Sequence, residues 1–411
     1  MKNFFYGWVI VFCAFTVLFL TYGAQYSFGV FIPAMLEDLG WTRASLGAAF
    51  SLYTVVYTSL SVVSGRLTDS LGPRRVIGIG AVLLGLGLIM TSQVTAQWQI
   101  YFCYSIVAAI GMSSAYIPCN MTLVRWFVRK RGLALGIASS GASCGFLFVP
   151  LIAGYLIAET SWRTALLVVA IVVLVVISVI ARFMVSNPES IGLTPDGEYG
   201  LSGEPENAVE PMSIPSAGMR LGVAAKTIGF WILLAAFTVA MLSLTVPFVH
   251  IVGHAQDLGI SGIKAAMTVS IIGLFSLIGS VALGLLSDRF GRKLMMLCAF
   301  AFQTMAFVLF AIADTMPVLY CGAAAFGLFY GGFASLYPAL VGDMFGRAHS
   351  GAIGGAIFGA GGFLGGWGPA IAGYLRDVYG NFELAFLCCV VTAVLSLVLL
   401  TLMPMPKERS A

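Results

Sequence analysis

Apolar residues fall in long blocks, broken by short polar stretches and by glycine- or proline-containing turns. Residues 7–32, 76–95, 163–181 and 384–403 each run for about the ~20 residues that a bilayer-spanning helix needs. Read between charged or Pro/Gly breaks, the pattern predicts twelve helices. They lie near 7–33, 44–65, 76–95, 99–123, 133–157, 163–185, 228–254, 263–287, 294–313, 317–342, 351–375 and 383–404. Lys and Arg test that count, because they gather on cytoplasmic loops. With both termini inside, only Arg43, Arg163, Lys264 and Arg376 fall on the outer side, and every other Lys and Arg falls inside. A missed or extra helix would scramble this alternation. The expected fold class is an all-α membrane protein of twelve transmembrane helices, both termini cytoplasmic.

Residues 186–226 differ in kind. They carry prolines at 188, 195, 205, 211 and 215, together with Glu189, Asp196, Glu198, Glu204, Glu206 and Glu210. Such a segment buries too little apolar surface to offset its ordering entropy, so a flexible cytoplasmic linker is expected. It parts an N-terminal six-helix bundle, 1–185, from a C-terminal one, 227–411. The halves are copies. Gly65-Arg-Leu-Thr-Asp69 returns as Gly284-Leu-Leu-Ser-Asp288, and Ile152–Leu156 returns unchanged at Ile371–Leu375, both at an offset of 219 residues. Ala14–Val17 reappears as Ala236–Val239. Internal repeats of this sort are the signature of secondary transporters, which bind their solute near the midplane where the repeats meet.

Composition narrows the classes. The chain is 60% hydrophobic and 9% charged, against roughly 45–50% and about 25% in soluble domains, which excludes a soluble enzyme. The net charge of +4 does not indicate nucleic acid, since the basic residues sit in short clusters between apolar spans. The eight cysteines lie inside apolar segments without metal spacing, so no metal is expected. No P-loop lysine motif, catalytic constellation or cofactor motif is present, and direct drive by ATP is not expected.

The loop after the second helix reads Gly65-Arg-Leu-Thr-Asp69-Ser-Leu-Gly-Pro-Arg74-Arg75. Its counterpart reads Gly284-Leu-Leu-Ser-Asp288-Arg-Phe-Gly-Arg292-Lys293. Both resemble the signature loop of the major facilitator superfamily. The second copy fits closely; the first carries Ser70 and Pro73 where basic residues are usual. Tyr6-Gly7-Trp8, Gln25-Tyr26-Ser27, Arg125-Trp126-Phe127, Lys130–Ala134 and Pro188–Leu193 are similar to the bacterial monocarboxylate-transporter and oxalate–formate-antiporter branch. The resemblance implies two pseudo-symmetric six-helix bundles rocking around a small organic anion. It also implies that Gly65, Asp69, Arg74, Arg75, Gly284, Asp288 and Arg292 latch the halves on the cytoplasmic side. One departure matters: Ser280 stands where the branch usually places an Arg that pairs with the substrate carboxylate.

A charge at the bilayer centre is costly and usually functional. This chain places none there; its Asp, Glu, Lys and Arg residues lie at helix ends or in loops. The candidate site therefore rests on neutral groups. Tyr22, Gln25 and Tyr26 share one face of the first helix. Tyr116 and Asn120 in the fourth, Ser276 and Ser280 in the eighth, and Tyr330 and Tyr337 in the tenth complete the set, with Tyr53 and Tyr57 in the second. The alternative for the face of the first helix is plain interhelical hydrogen bonding. His250, following Pro247, is the proton-coupling candidate, because an unperturbed His titrates near pH ~6.5. His254 and Asp257 are expected to face water beyond it.

Glycines at four-residue steps, Gly351/Gly355/Gly359 and Gly132/Gly136, suggest close helix approach at a sliding interface or static packing. The expected function is secondary active transport of a small organic solute, above all a monocarboxylate, with proton symport or anion exchange. The rival is a facilitator or efflux transporter of neutral or hydrophobic small molecules. A monomer in the bacterial inner membrane is expected, with lipid and solute, and in one mode the proton, as its partners.

Overall fold

The computed structural model describes residues 5–197, 218–260 and 262–404. The middle of the expected linker, 198–217, lies outside the described residues. Twelve helical segments follow in chain order. The first six are α1 Gly7–Leu39, α2 Arg43–Leu71, α3 Pro73–Thr91, α4 Gln97–Trp126, α5 Arg131–Glu159 and α6 Trp162–Ala181. In the second half, α7 runs Ile228–Leu244 and Val246–Asp257, parted at Thr245. It is followed by α8 Gly262–Phe290, α9 Arg292–Ala311 and α10 Met316–Phe345. Then come α11, in two pieces Ser350–Gly365 and Gly368–Tyr379, and α12 Glu383–Leu402.

Among the described residues, eleven helices are long and apolar enough to cross a membrane. The remaining predicted span, 351–375, is α11. Its run of glycines breaks at Gly366 and Trp367, and Pro369 opens the second piece, where its missing N–H costs nothing. Neither piece alone reaches the ~20 residues of a span; both together do.

The repeat is visible in the turns. Gly72 between α2 and α3 has φ +82°, and Gly291 between α8 and α9, 219 residues on, has φ +91°. Both lie in the region that a Cβ disfavours, so one glycine makes each sharp turn. Across the halves, α2 packs on α11 and α5 packs on α8. The glycine steps serve these contacts. A Cβ on Gly65 would overlap the Gly351 carbonyl, and one on Gly132 would overlap the Gly284 carbonyl. Backbones approach this closely only where side chains are absent.

The described flanks of the linker dock on the bundles. Asp196 Oδ2 accepts from Val128 N at 3.0 Å and Arg129 N at 2.8 Å, and Met219 N donates to Phe345 O at 2.8 Å.

Candidate functional site: a neutral cavity above a charged seal

A cavity of about 720 Å³ lies between the halves. Residues of α1, α2, α4 and α5 form one wall, and residues of α7, α8, α10 and α11 the other. Its wall holds no Asp, Glu, Lys or Arg among the described residues. The polar groups are tyrosines, short hydroxyls, Gln25 and His250. Tyr26 of α1 and Tyr330 of α10 join hydroxyls across the halves at 3.0 Å. Phe146 and Phe248 pack against the Tyr26 ring, with centroids at 4.8 and 5.7 Å, and Phe248 also meets Tyr330 at 5.0 Å. Tyr116 donates to Ala334 O at 2.8 Å, and Ser139 donates to the same carbonyl at 3.2 Å. Gln25, 4% exposed, lies beside the Tyr57 hydroxyl. Toward the face away from the basic loops, Gly29, Gly47, Ser51 and Val249 are exposed wall residues, and His250 Nε2 meets Pro369 O at 2.8 Å beside the α11 break. Because a carbonyl only accepts, that ring nitrogen carries a hydrogen.

The basic face is shut by charge. Asp69, at the end of α2, pairs with Arg125 at the end of α4, and its Oδ2 accepts from Ala352 N at 2.8 Å in the first turn of α11. Asp288, at the end of α8, accepts from Gly132 N at 2.7 Å and Leu133 N at 2.9 Å in the first turn of α5. Each acid meets orphan N–H groups and the positive end of a helix from the other half. Arg131 pairs with Asp343, which also meets Arg292 at 3.2 Å. Arg347 donates to Arg125 O at 2.9 Å.

The architecture is two six-helix halves related by a fixed offset, with a cavity between them and paired acid contacts across one face. A family model described as the Major Facilitator Superfamily matches residues 14–249 and 228–411. The chain belongs to this superfamily. Monocarboxylate transporter 13 of Rattus norvegicus is 30% identical over 391 residues, covering 93% of this chain and 85% of the relative. Monocarboxylate transporter 11 of Mus musculus is 29% identical over 408 residues, covering 93% and 84%. Solved structures with the same fold include the E. coli fucose:proton symporter FucP, with TM-score 0.72 and 14% identity, covering 96% of this chain and 98% of that one. The proton:xylose symporter XylE matches with TM-score 0.79 and 15% identity, covering 97% and 96%. The protein is thus an integral membrane transporter of the major facilitator type, not an enzyme.

Within this superfamily member, the sequence-derived candidates divide by depth. Tyr22, Gln25, Tyr26, Tyr116, His250 and Tyr330 line the cavity. Asn120, Ser276, Ser280 and Tyr337 do not; all four are buried behind the wall. Asn120 donates to Tyr116 O at 2.9 Å and so braces a wall residue. Ser276 shares a 2.7 Å bond with Ser143. Ser280 bonds back to Leu277 O at 3.0 Å, and the Tyr337 hydroxyl reaches Gly354 O. Of the latch residues, Asp69, Asp288, Arg292 and the two glycines meet the opposite half. Arg74 and Arg75 are exposed at the start of α3.

One expectation is corrected. His254 does not face water: it is 5% exposed, with Nε2 2.9 Å from Phe310 O and its ring against Phe386. About two helical turns beyond Pro247 the chain still runs inside the bundle, so a helix-end position did not imply solvent. Asp257 pairs with Arg376 at 3.2 Å. Sequence reasoning missed Ser139, Ser143, Thr245, Phe146 and Phe248 as wall residues. Periodicity names faces within one helix, and these belong to helices apolar on every side.

Proposed function

We propose that this protein carries a small monocarboxylate across the plasma membrane by alternating access, coupled to a proton or to exchange. The basic face is then the cytoplasmic one, both termini lie inside, and the state described here opens outward. Support comes from the relatives named monocarboxylate transporter, which match nearly the whole chain. The observation that carries the reading is the cavity: small, tyrosine-lined and bridged across the halves by Tyr26 and Tyr330. Solute entering there meets groups from both halves, so it can draw them together on the outer side while the inner seal opens. Tyr22, Gln25, Tyr26, Tyr116, His250 and Tyr330 are the proposed contacts, and Asp69, Asp288 and Arg292 with Gly65 and Gly284 the proposed gate.

With no fixed cation in the wall, a bare carboxylate would be desolvated without a partner, at a cost of several kcal/mol. Coupling to a proton removes that cost, and two carriers are open to it: His250 or the acid itself. Uptake of labelled acetate, propionate, pyruvate, lactate and benzoate into proteoliposomes, with and without acid outside, tests the proposal. Acid-stimulated uptake of at least one is expected. Uptake of neutral solutes with no carboxylate uptake at either pH would overturn it in favour of a neutral-solute carrier.

A further inference from the structure

We infer that the substrate is bound as the neutral, protonated acid, its carboxyl O–H donated to Gln25 and its C=O held by hydroxyls from the other half. The inference rests on the monocarboxylate reading and deepens it. Buried polar side-chain atoms almost always find partners. Among the described residues a few do not, and two of those belong to the cavity wall: Gln25 Oε1 on α1 and Thr245 Oγ1 at the break in α7. They stand on opposite halves. Gln25 lies beside Tyr57, and its carbonyl oxygen, which can only accept, has no partner. Beside it, the Tyr26–Tyr330 pair holds two hydroxyl hydrogens and spends one on their mutual bond. One donor remains there, and Thr245 adds another.

Gln25 Oε1 is thus an unpartnered acceptor that cannot donate, set among hydroxyls that can donate. A carboxylate, with acceptors only, would set its charge against Gln25 Oε1 and meet no cation. A protonated carboxyl has one donor and one acceptor, the complement of what is vacant. The titratable groups facing this space are Tyr22 and Tyr26 from α1, Tyr57 from α2, Tyr116 from α4, His250 from α7 and Tyr330 from α10; α5, α8 and α11 present none among the described wall residues. Proton balance follows simply: the acid enters with its proton on the acidic side and releases both carboxylate and proton on the other. Gln25 is then a specificity residue, selecting for a donor on the ligand rather than for charge.

Primary amides test this without pH, because they keep one acceptor and a donor and never ionise. Binding to the purified full chain in nanodiscs would be measured by calorimetry for acetic, propionic and benzoic acids at about pH 5 and about pH 7.5, their primary amides and their methyl esters. For each carbon skeleton that binds, the amide should match the acid at low pH. The ester, lacking a donor, should bind about tenfold more weakly. The acid at pH 7.5 should bind roughly two-hundredfold more weakly than at pH 5, because only its protonated fraction binds and that fraction falls by about this factor. In Gln25→Met the gap between amide and ester should close, while the fold is verified by an unchanged unfolding temperature. Carboxylate binding as tight at pH 7.5 as at pH 5, or amide and ester binding alike in the wild type, overturns the inference and leaves the monocarboxylate reading standing. If Gln25→Met does not fold, that wild-type ligand series decides alone. Binding by no acid and no amide removes both.

Discussion

Asp69 and Asp288 stand 219 residues apart, at the same point of the two repeats, and each caps the first turn of a helix from the opposite half. Their surroundings differ. Asp69 also pairs with Arg125, which belongs to its own half, so that ion pair survives when the halves part. Near the position equivalent to Arg125, the second half carries Asp343, and its pair with Arg131 runs between the halves. Both repeats pair the acid with an Arg of its own half, Arg125 for Asp69 and Arg292 for Asp288, and the second adds an ion pair that holds the partner half. Only the second kind changes on opening, and only that change shifts the balance between states.

The sharpest way to break this arrangement is steric. Gly65→Val sets a side chain into the Gly351 carbonyl, where no flexible group can yield. Overpacking of this kind costs about 1–3 kcal/mol, all of it in the closed state. Spin labels at the exposed positions Ser70 and Arg289, in a cysteine-free background, should move apart in that variant. Asp343→Asn comes next. It leaves the Arg131 side chain, 5% exposed, without its cross-half charge, and should cost the closed state roughly 1–3 kcal/mol by the same distance measurement. Asp69→Asn should shift it less, by about 1 kcal/mol. The lost Arg125 pair weighs on both states alike, and only the charge-assisted bond to Ala352 N becomes a neutral one. Equal shifts for the two substitutions would erase the distinction between the latches.

The cavity contrasts with both latches in having no charge to lose. Tyr26→Phe removes one neutral hydrogen bond across the halves, worth ~0.5–1.5 kcal/mol, so binding of the best acid should weaken only several-fold. A loss of a hundredfold would mean that Tyr26 faces an ion.

The architecture was legible because its signals are long and repeated: apolar blocks of span length, basic residues alternating by side, and two loop copies at one offset. The paired Gly and Asp that meet the opposite half were legible for the same reason, since they recur together where topology alone explains only Arg and Lys. The cavity was legible only in part. Gln25 and Tyr26 share a face that the tyrosines of α1 mark, whereas Ser280 and Tyr337 were chosen for chemistry on helices whose apolar residues run all round. Which face of such a helix looks into the cavity depends on backbone approach, as at Gly331, where an added Cβ would meet the backbone of Ser276 and Ser280. The π-helical turn Cys103–Ala108 in α4 likewise depends on packing that no local pattern encodes.

The central claim is that charge gates this transporter and nothing charged crosses its cavity. Solid-supported-membrane recording on proteoliposomes, with internal pH followed in parallel, tests it directly in the wild type and in His250→Ala. The account predicts acid uptake with internal acidification and no net current in both proteins, because the proton travels on the substrate. A current carried by the carboxylate, or acid-stimulated uptake lost with the His250 imidazole, would contradict it.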